Sequence, residues 1–246
     1  MSEFKDKRVL ITGGSRGIGL GLARFFVDRQ ARVAICGRKE TNLNQAREAL
    51  GGNVLTVPAH LGKPEDVEQL FKTVQQEFGA LEILVNNMGM NIFTPATVEA
   101  EVALWDKIMD SNLRATFLVC RQAFPLMKNG GGVIVNVSST AGLRAAPGMG
   151  IYGIAKAGIN MLTRVLAREL AAYGIRVNAV APGMVETDFS KPFWGNEDIL
   201  KELLKGIPLG RIARVEDVVQ AVSFLASGQS AYLTGEILSL SGGSEA

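Results

Sequence analysis

RVLITGGSRGIG, residues 8–19, runs the strand-like stretch RVLIT straight into a glycine-rich turn, and LGLARFFVDR follows with the apolar spacing of a helix. A strand that is hydrophobic throughout is the kind covered by helices on both faces of a parallel sheet. Glycines behind it permit positive φ and close backbone approach, so free amides at the opening of the helix can hold a pyrophosphate. The spacing Gly13-xxx-Gly17-x-Gly19 is wider than a GxGxxG fingerprint. Taken alone, the loop is weak evidence, since a turn that merely joins strand to helix is the lesser but open alternative.

The same residues spell G-x-S-x-G around Ser15, in the strand-turn-helix setting that a hydrolase nucleophile would need. A serine nucleophile needs a base, and His60 is the single histidine of the chain. The acid would have to lie between them, where Asp28 is the only aspartate and falls midway along the first helix. The triad therefore fails on inventory. One histidine cannot anchor a multi-histidine metal site either, and no metal is expected.

Outward from residue 8 the pattern repeats: ARVAIC, the helical TNLNQAREAL, NVLTVP, then PEDVEQLFKTVQQEF with Pro64 suited to a first helical turn. LEILVNN, a long helical region around 100 to 128, GGVIVNVSS, GIRVNAVAP and EILSLSGG complete seven strands. The class is α/β, a doubly wound parallel sheet with helices on both faces. Without a linker or internal repeat, residues 1–246 read as one domain, with an insertion at about 184–206 where the rhythm falters.

Composition limits the partners. The 246 residues are 47% hydrophobic and 20% charged with a net charge of +2, and the basic residues are scattered among acids. Neither nucleic acid nor an anionic membrane is expected, and no apolar run approaches the 18 residues of a membrane span. Cys36 and Cys120 sit in apolar runs without CxxC spacing, as buried thiols in a reducing compartment, and a cytoplasmic location is expected.

YGIAK, residues 152–156, then places a phenol and an ammonium four apart, on one helix face. A nearby ammonium favours the phenolate and moves the Tyr152 pKa toward neutrality, which equips the pair to protonate or deprotonate an alcohol. With TGGSRGIG at 12–19, NNMG at 86–89, Asn112, Ser139, APG at 181–183, IPLGR at 207–211 and LTGEILSLSGG at 233–243, the chain resembles a short-chain dehydrogenase/reductase nearly end to end. It is similar in particular to 3-oxoacyl reductase-like and alcohol dehydrogenase-like members.

The resemblance implies an NAD(P)-binding Rossmann-type domain that interconverts a ketone and a secondary alcohol. Tyr152 would be the proton donor or acceptor, Ser139 would hold the substrate oxygen, and Lys156 would bind the nicotinamide ribose and lower the Tyr152 pKa. Asn112 matches the position that orients a water for the proton relay. Gly13, Ser15, Arg16, Gly17, Ile18 and Gly19 would face the pyrophosphate and ribose; Asn86 and Gly89 the adenosine side; Pro182, Gly183, Val185 and Thr187 the nicotinamide end. His60 and Leu61 occupy the adenine position, where many members carry an aspartate; His60 is either an acceptor for the adenine amine or a solvated loop residue. Met88 replaces the family's usual alanine, and gap filling in the core is its expected role. Arg38 after strand two, with Arg16, favours NADP over NAD, because arginine pairs with a 2′-phosphate. Glu40 stands near the place of a ribose-binding acid, but it also suits a helix N-terminus.

Phe189, Phe193, Trp194, Ile199 and Leu200 lie where family members cover the substrate, as an apolar lid or as short helices packed on the body. Arg144, Met149 and Met90 to Phe93 are further candidates for the pocket wall, so an apolar carbonyl compound is the expected substrate. Phe117, Leu118, Met161, Leu162, Val165 and Leu166 exceed what one sheet contact buries, and family members commonly form homotetramers through such helices. The alternatives are a cofactor-binding sensor or scaffold of the same fold without turnover, and an NAD-dependent alcohol dehydrogenase.

Overall fold

The computed structural model describes residues 3–94 and 96–245, with the backbone only for 192 and 193. Among the described residues, seven parallel strands form one sheet: β1 Arg8–Thr12, β2 Arg32–Gly37, β3 Val54–Pro58, β4 Ile83–Asn86, β5 Gly132–Val137, β6 Ile175–Pro182 and β7 Ile237–Leu240. The spatial order is β3-β2-β1-β4-β5-β6-β7. The chain leaves β1 toward one edge and returns on its other side, so a switch point lies between β1 and β4, where a doubly wound sheet opens a crevice.

Two apolar layers follow from the pleat. Val9 and Ile11 of β1, with Val33 and Ile35 of β2, pack beneath α1 Gly17–Val27, α2 Glu40–Ala49 and α9 Val215–Ala226. Leu10, Ala34 and Cys36 point the opposite way, toward α3 Pro64–Phe78, α5 Ala115–Met127 and the end of α6 Gly150–Leu170. Alternate side chains of a strand serve opposite faces, so both must be apolar.

The long helical region expected around 100 to 128 is present, with a π segment inside it. α4 Val102–Met109 and α5 are joined by a π segment, Asp110–Arg114. A π turn frees backbone groups from the regular ladder and recurs at functional positions; here it carries Asn112. The stretch at 184–206 holds two short helices, α7 Lys191–Trp194 and α8 Glu197–Lys205, between β6 and α9. Of the apolar residues expected on outer helix faces, Phe117, Met161 and Val165 are exposed. Leu118 instead is buried in the core, with Leu166 packed against it, because both turn inward toward the sheet.

Candidate active site

A cleft of about 650 Å³ opens along the C-terminal ends of the strands, with Gly13, Gly37, Ala59, Asn87, Ser139 and Pro182 contributed in turn by β1 to β6 or the residues just after them. At the β1 end, Gly13 and Gly17 have φ of +65° and +52°, backbone that few side chains tolerate. α1 starts at Gly17 with no side-chain cap, which leaves the first amides of the helix without intrahelical partners. Gly13, Ser15, Arg16, Gly17 and Ile18 all line the cleft. Uncapped amides beside an arginine fit a pyrophosphate. Gly19 lies behind this wall, where an added Cβ would stand 2.2 Å from the Gly13 carbonyl oxygen, so its work is to let the helix close onto the turn.

Beyond Gly37, Arg38 is exposed on the cleft wall together with His60 and the buried Leu61. The His60 backbone amide donates to Asp66 Oδ2 at 2.8 Å, which fixes the loop and leaves the imidazole facing outward. Glu40 occupies the first turn of α2, the helix-end position, and is not among the cleft residues. Asn86, expected toward the adenosine, turns inward: its Nδ2 donates to Asn136 Oδ1 at 2.8 Å and to Cys120 Sγ at 3.2 Å. Asn87 faces the cleft instead and its Nδ2 donates to the carbonyls of Thr12 and Gly13. Adjacent residues at a strand end project to opposite sides, and the register puts the second asparagine at the turn. Met88 lines the cleft and also packs against the core.

Deeper in the cleft, α6 brings Tyr152 and Lys156 to one side, opposite Gly89. Lys156 is 2% exposed, and its Nζ donates to the Val137 carbonyl at 2.8 Å and lies over the Tyr152 ring, 5.5 Å from the centroid. A Cβ on Gly89 would meet Asn112 Oδ1 at 2.8 Å and Lys156 Nζ at 3.2 Å, so glycine is what lets the three segments converge. Asn112 is wholly buried; its Nδ2 donates to the carbonyls of Met90 and Ile108, both at 2.8 Å, and its own carbonyl accepts from Thr116 Oγ1. Ser139 ends the loop after β5 and its Oγ accepts from the Ala141 amide.

The electrostatics depart from expectation at Tyr152. Burial pushes this phenol up to about 12 although it is partly open to the cleft, and the neighbouring Ser139 hydroxyl pulls the other way. The Lys156 Nζ lies 5.5 Å from the ring centroid and donates to the Val137 carbonyl, and burial outweighs the lowering expected from it. Lys156 itself is pulled down to about 8 because an ammonium is costly to bury. A neutral phenol at pH 7 is a proton donor in waiting.

At the far end Pro182, Gly183, Val185 and Thr187 line the cleft with Arg144, Met149 and Phe189. The segment after β6 is tied to the body by Glu186 N to Ala213 O at 2.8 Å and Ala213 N to Met184 O at 2.9 Å. Thr187 Oγ1 and Trp194 Nε1 both bond Ser190 Oγ, at 3.1 and 3.0 Å. Of the lid candidates, Phe189 reaches the cleft, Trp194 anchors this knot, Ile199 points to solvent, and the Phe193 side chain lies outside the described residues. Met90 and Asn91 line the wall, while Ile92 and Phe93 do not. Sequence reasoning missed Asn87, Thr12 and Leu203. Thr12 Oγ1 accepts from the amides of Asn87 and Met88, and a hydroxyl ending an apolar strand was the available signal. Leu203 carried none, being one apolar residue among several on an amphipathic helix.

Comparison with known proteins identifies the family. Residues 13–245 match a family model described as enoyl-(acyl carrier protein) reductase. The chain is 38% identical over 248 residues to the 3-oxoacyl-[acyl-carrier-protein] reductase FabG of Chlamydia muridarum, covering 98% of each. It is also 38% identical over 240 residues to the human mitochondrial dehydrogenase/reductase SDR family member 2, covering 96% of this chain and 86% of that one. A solved short-chain type dehydrogenase/reductase from Mycobacterium ulcerans superposes with a TM-score of 0.94 at 28% identity, over 98% of this chain and 90% of the other. The chain therefore belongs to the short-chain dehydrogenase/reductase family and is an NAD(P)-dependent oxidoreductase acting on CH–OH and C=O groups.

Proposed function

We propose that the protein is an NADPH-dependent ketone reductase, running in either direction between a ketone and a secondary alcohol. The observation that carries the reading is the convergence of Lys156 and Asn112 on Gly89, with the Tyr152 ring beside the Lys156 amine, in the same cleft as Ser139. NADPH, when bound, supplies the hydride for the carbonyl carbon. Ser139 holds the substrate oxygen beside the phenol, and Tyr152 Oη gives its proton to that oxygen as charge develops on it. The buried Lys156 then favours the phenolate left behind and helps return a proton to it. Asn112, clamped to both sides of the Met90 peptide, fixes the loop that carries Gly89.

Arg16 and Arg38, both exposed on the cleft wall, support NADPH over NADH by offering guanidinium groups to a 2′-phosphate. The wall formed by Met90, Met149, Phe189 and Leu203 supports an apolar carbonyl substrate. The chlamydial relative's name, that of a carbonyl reductase, points the same way. The proposal extends to a cytoplasmic homotetramer joined through the exposed faces of α5 and α6; a monomeric mass by light scattering would overturn that part.

Tyr152→Phe tests the chemistry. Removing one oxygen should cut reduction of a ketone panel by about a thousandfold, while NADPH binding, read by its fluorescence, stays within about twofold. Undiminished turnover in that variant sinks the reading.

A further inference from the structure

The substrate end of the cleft holds one ion pair that the catalytic reading does not use. Arg144 lies on the turn that begins at Ser139, its amide bonded to the Thr140 carbonyl at 3.1 Å, and it lines the cleft beside Ala146 and Met149. Its Nε donates to Glu245 Oε1 at 2.7 Å. Glu245 comes from the segment after β7, which two left-handed glycines, Gly242 and Gly243 with φ of +63° and +93°, fold back toward the cleft. Leu209 N bonds the Gly242 carbonyl at 3.0 Å, and Cβ atoms on Gly242 and Gly243 would strike Ile207 and Pro208 at 2.8 and 2.9 Å. The fold-back is thus fixed by backbone, and Ser244 joins the cleft wall as a result.

The two partners differ in exposure. The Arg144 side chain is 60% exposed, whereas that of Glu245 is 15% exposed. Among the described charged residues of the wall, Arg16, Arg38, Lys39 and His60 stand at the phosphate and adenosine end, and Lys156 is committed to Val137. Arg144 is the remaining cation an anionic substrate would meet, and Asp188 adds a second carboxylate to this end.

We propose that the Arg144–Glu245 pair is a charge filter at the substrate end. The Glu245 carboxylate engages the guanidinium through Nε and neutralises the charge that would otherwise receive an acidic group, so the cleft accepts uncharged carbonyl compounds and offers a keto acid no unpaired cation. The inference rests on the reductase reading for its substrate class, and it names Glu245 as a specificity-determining residue of the same site.

A matched pair of stable probes, levulinate and its methyl ester, tests it by calorimetric Kd with NADPH present. Glu245→Gln keeps size and hydrogen bonding and removes the charge. It should tighten levulinate relative to the ester by about fivefold, and Arg144→Gln with Glu245→Gln should erase that gain. An acid-to-ester ratio within twofold of wild type in Glu245→Gln overturns the filter, as does a gain that persists in the double variant. Reduction of the ester by wild-type protein, followed as NADPH oxidation, reports on the reductase reading separately, since the Kd comparison needs no turnover.

Discussion

At the β1 end of the cleft every contact that holds the wall has a backbone group on at least one side. Gly14 N bonds the Cys36 carbonyl at 3.2 Å, Ala59 N bonds the Gly37 carbonyl at 2.9 Å, and Asn87 reaches across to the carbonyls of Thr12 and Gly13. At the 184–207 end, side chains do much of the holding. Ser190 Oγ gathers Thr187 and Trp194, every described residue of α8 is at least partly exposed, and Ile199 is 47% exposed. Under the proposed function the first end holds the cofactor, whose fixed shape demands one backbone path, and the second is a substrate wall, which side chains can remodel. Stability should therefore concentrate at the first end and specificity at the second.

The sharpest way to break that contrast is to put one methyl group at each end. Gly19→Ala drives a Cβ to 2.2 Å from the Gly13 carbonyl and 2.6 Å from Asn87 Nδ2, so the helix must shift off the turn. A loss of about 3 kcal/mol or more in urea unfolding is expected. Gly206→Ala, on the cleft wall at the other end, would meet nothing nearer than the Leu203 carbonyl at 3.6 Å. Its φ of −90° suits alanine, and the narrower unfolded ensemble makes the change neutral or stabilising by about 0.5 kcal/mol. Equal losses in the two variants would remove the distinction.

The same contrast decides what the sequence could reveal. RVLIT and PEDVEQLFKTVQQEF coincide with β1 and α3, because uniform apolarity and Pro64 at the first turn are local signals. The break at 110–114 was illegible: apolar spacing continues on both sides of it, and the bonds from Asn112 to Met90 are long-range. Asn86 and Asn87 could not be told apart without the strand register. Tyr152 and Lys156 were legible as neighbours but not in depth, and depth reverses the expected pKa shift of the phenol.

Lys156 turns that depth into a measurable pH dependence. Its folded pKa of about 8 lies below the ordinary 10.5, so below pH 8 the native protein bears the full cost of a buried ammonium. Between about 8 and 10.5 the native state has released the proton while the unfolded chain still holds it, and stability rises with pH through that window. Lys156→Met lacks this rise. The wild-type stability minus that of the variant should climb by about 2 to 3 kcal/mol from pH 7 to pH 10; a flat difference would mean the amine is solvated.

Arg38 probes the corner proposed for the adenosine, where fixed backbone carries an exposed side chain and the two building styles meet. Arg38 and Arg16 both line the wall, whereas Glu40 lies in the first turn of α2 and is not among the cleft residues, so the charged side chains facing the proposed ribose position are cationic. Arg38→Asp removes a donor for a 2′-phosphate and sets a like charge against it, while a free 2′-hydroxyl gains an acceptor. The KM for NADPH should rise by about thirtyfold, close to 2 kcal/mol, and that for NADH should change by less than threefold. Because Arg38 is exposed and holds no strand together, the urea midpoint should not move. Equal weakening of both cofactors would place Arg38 outside the phosphate contact, and a fallen midpoint would make it part of the frame.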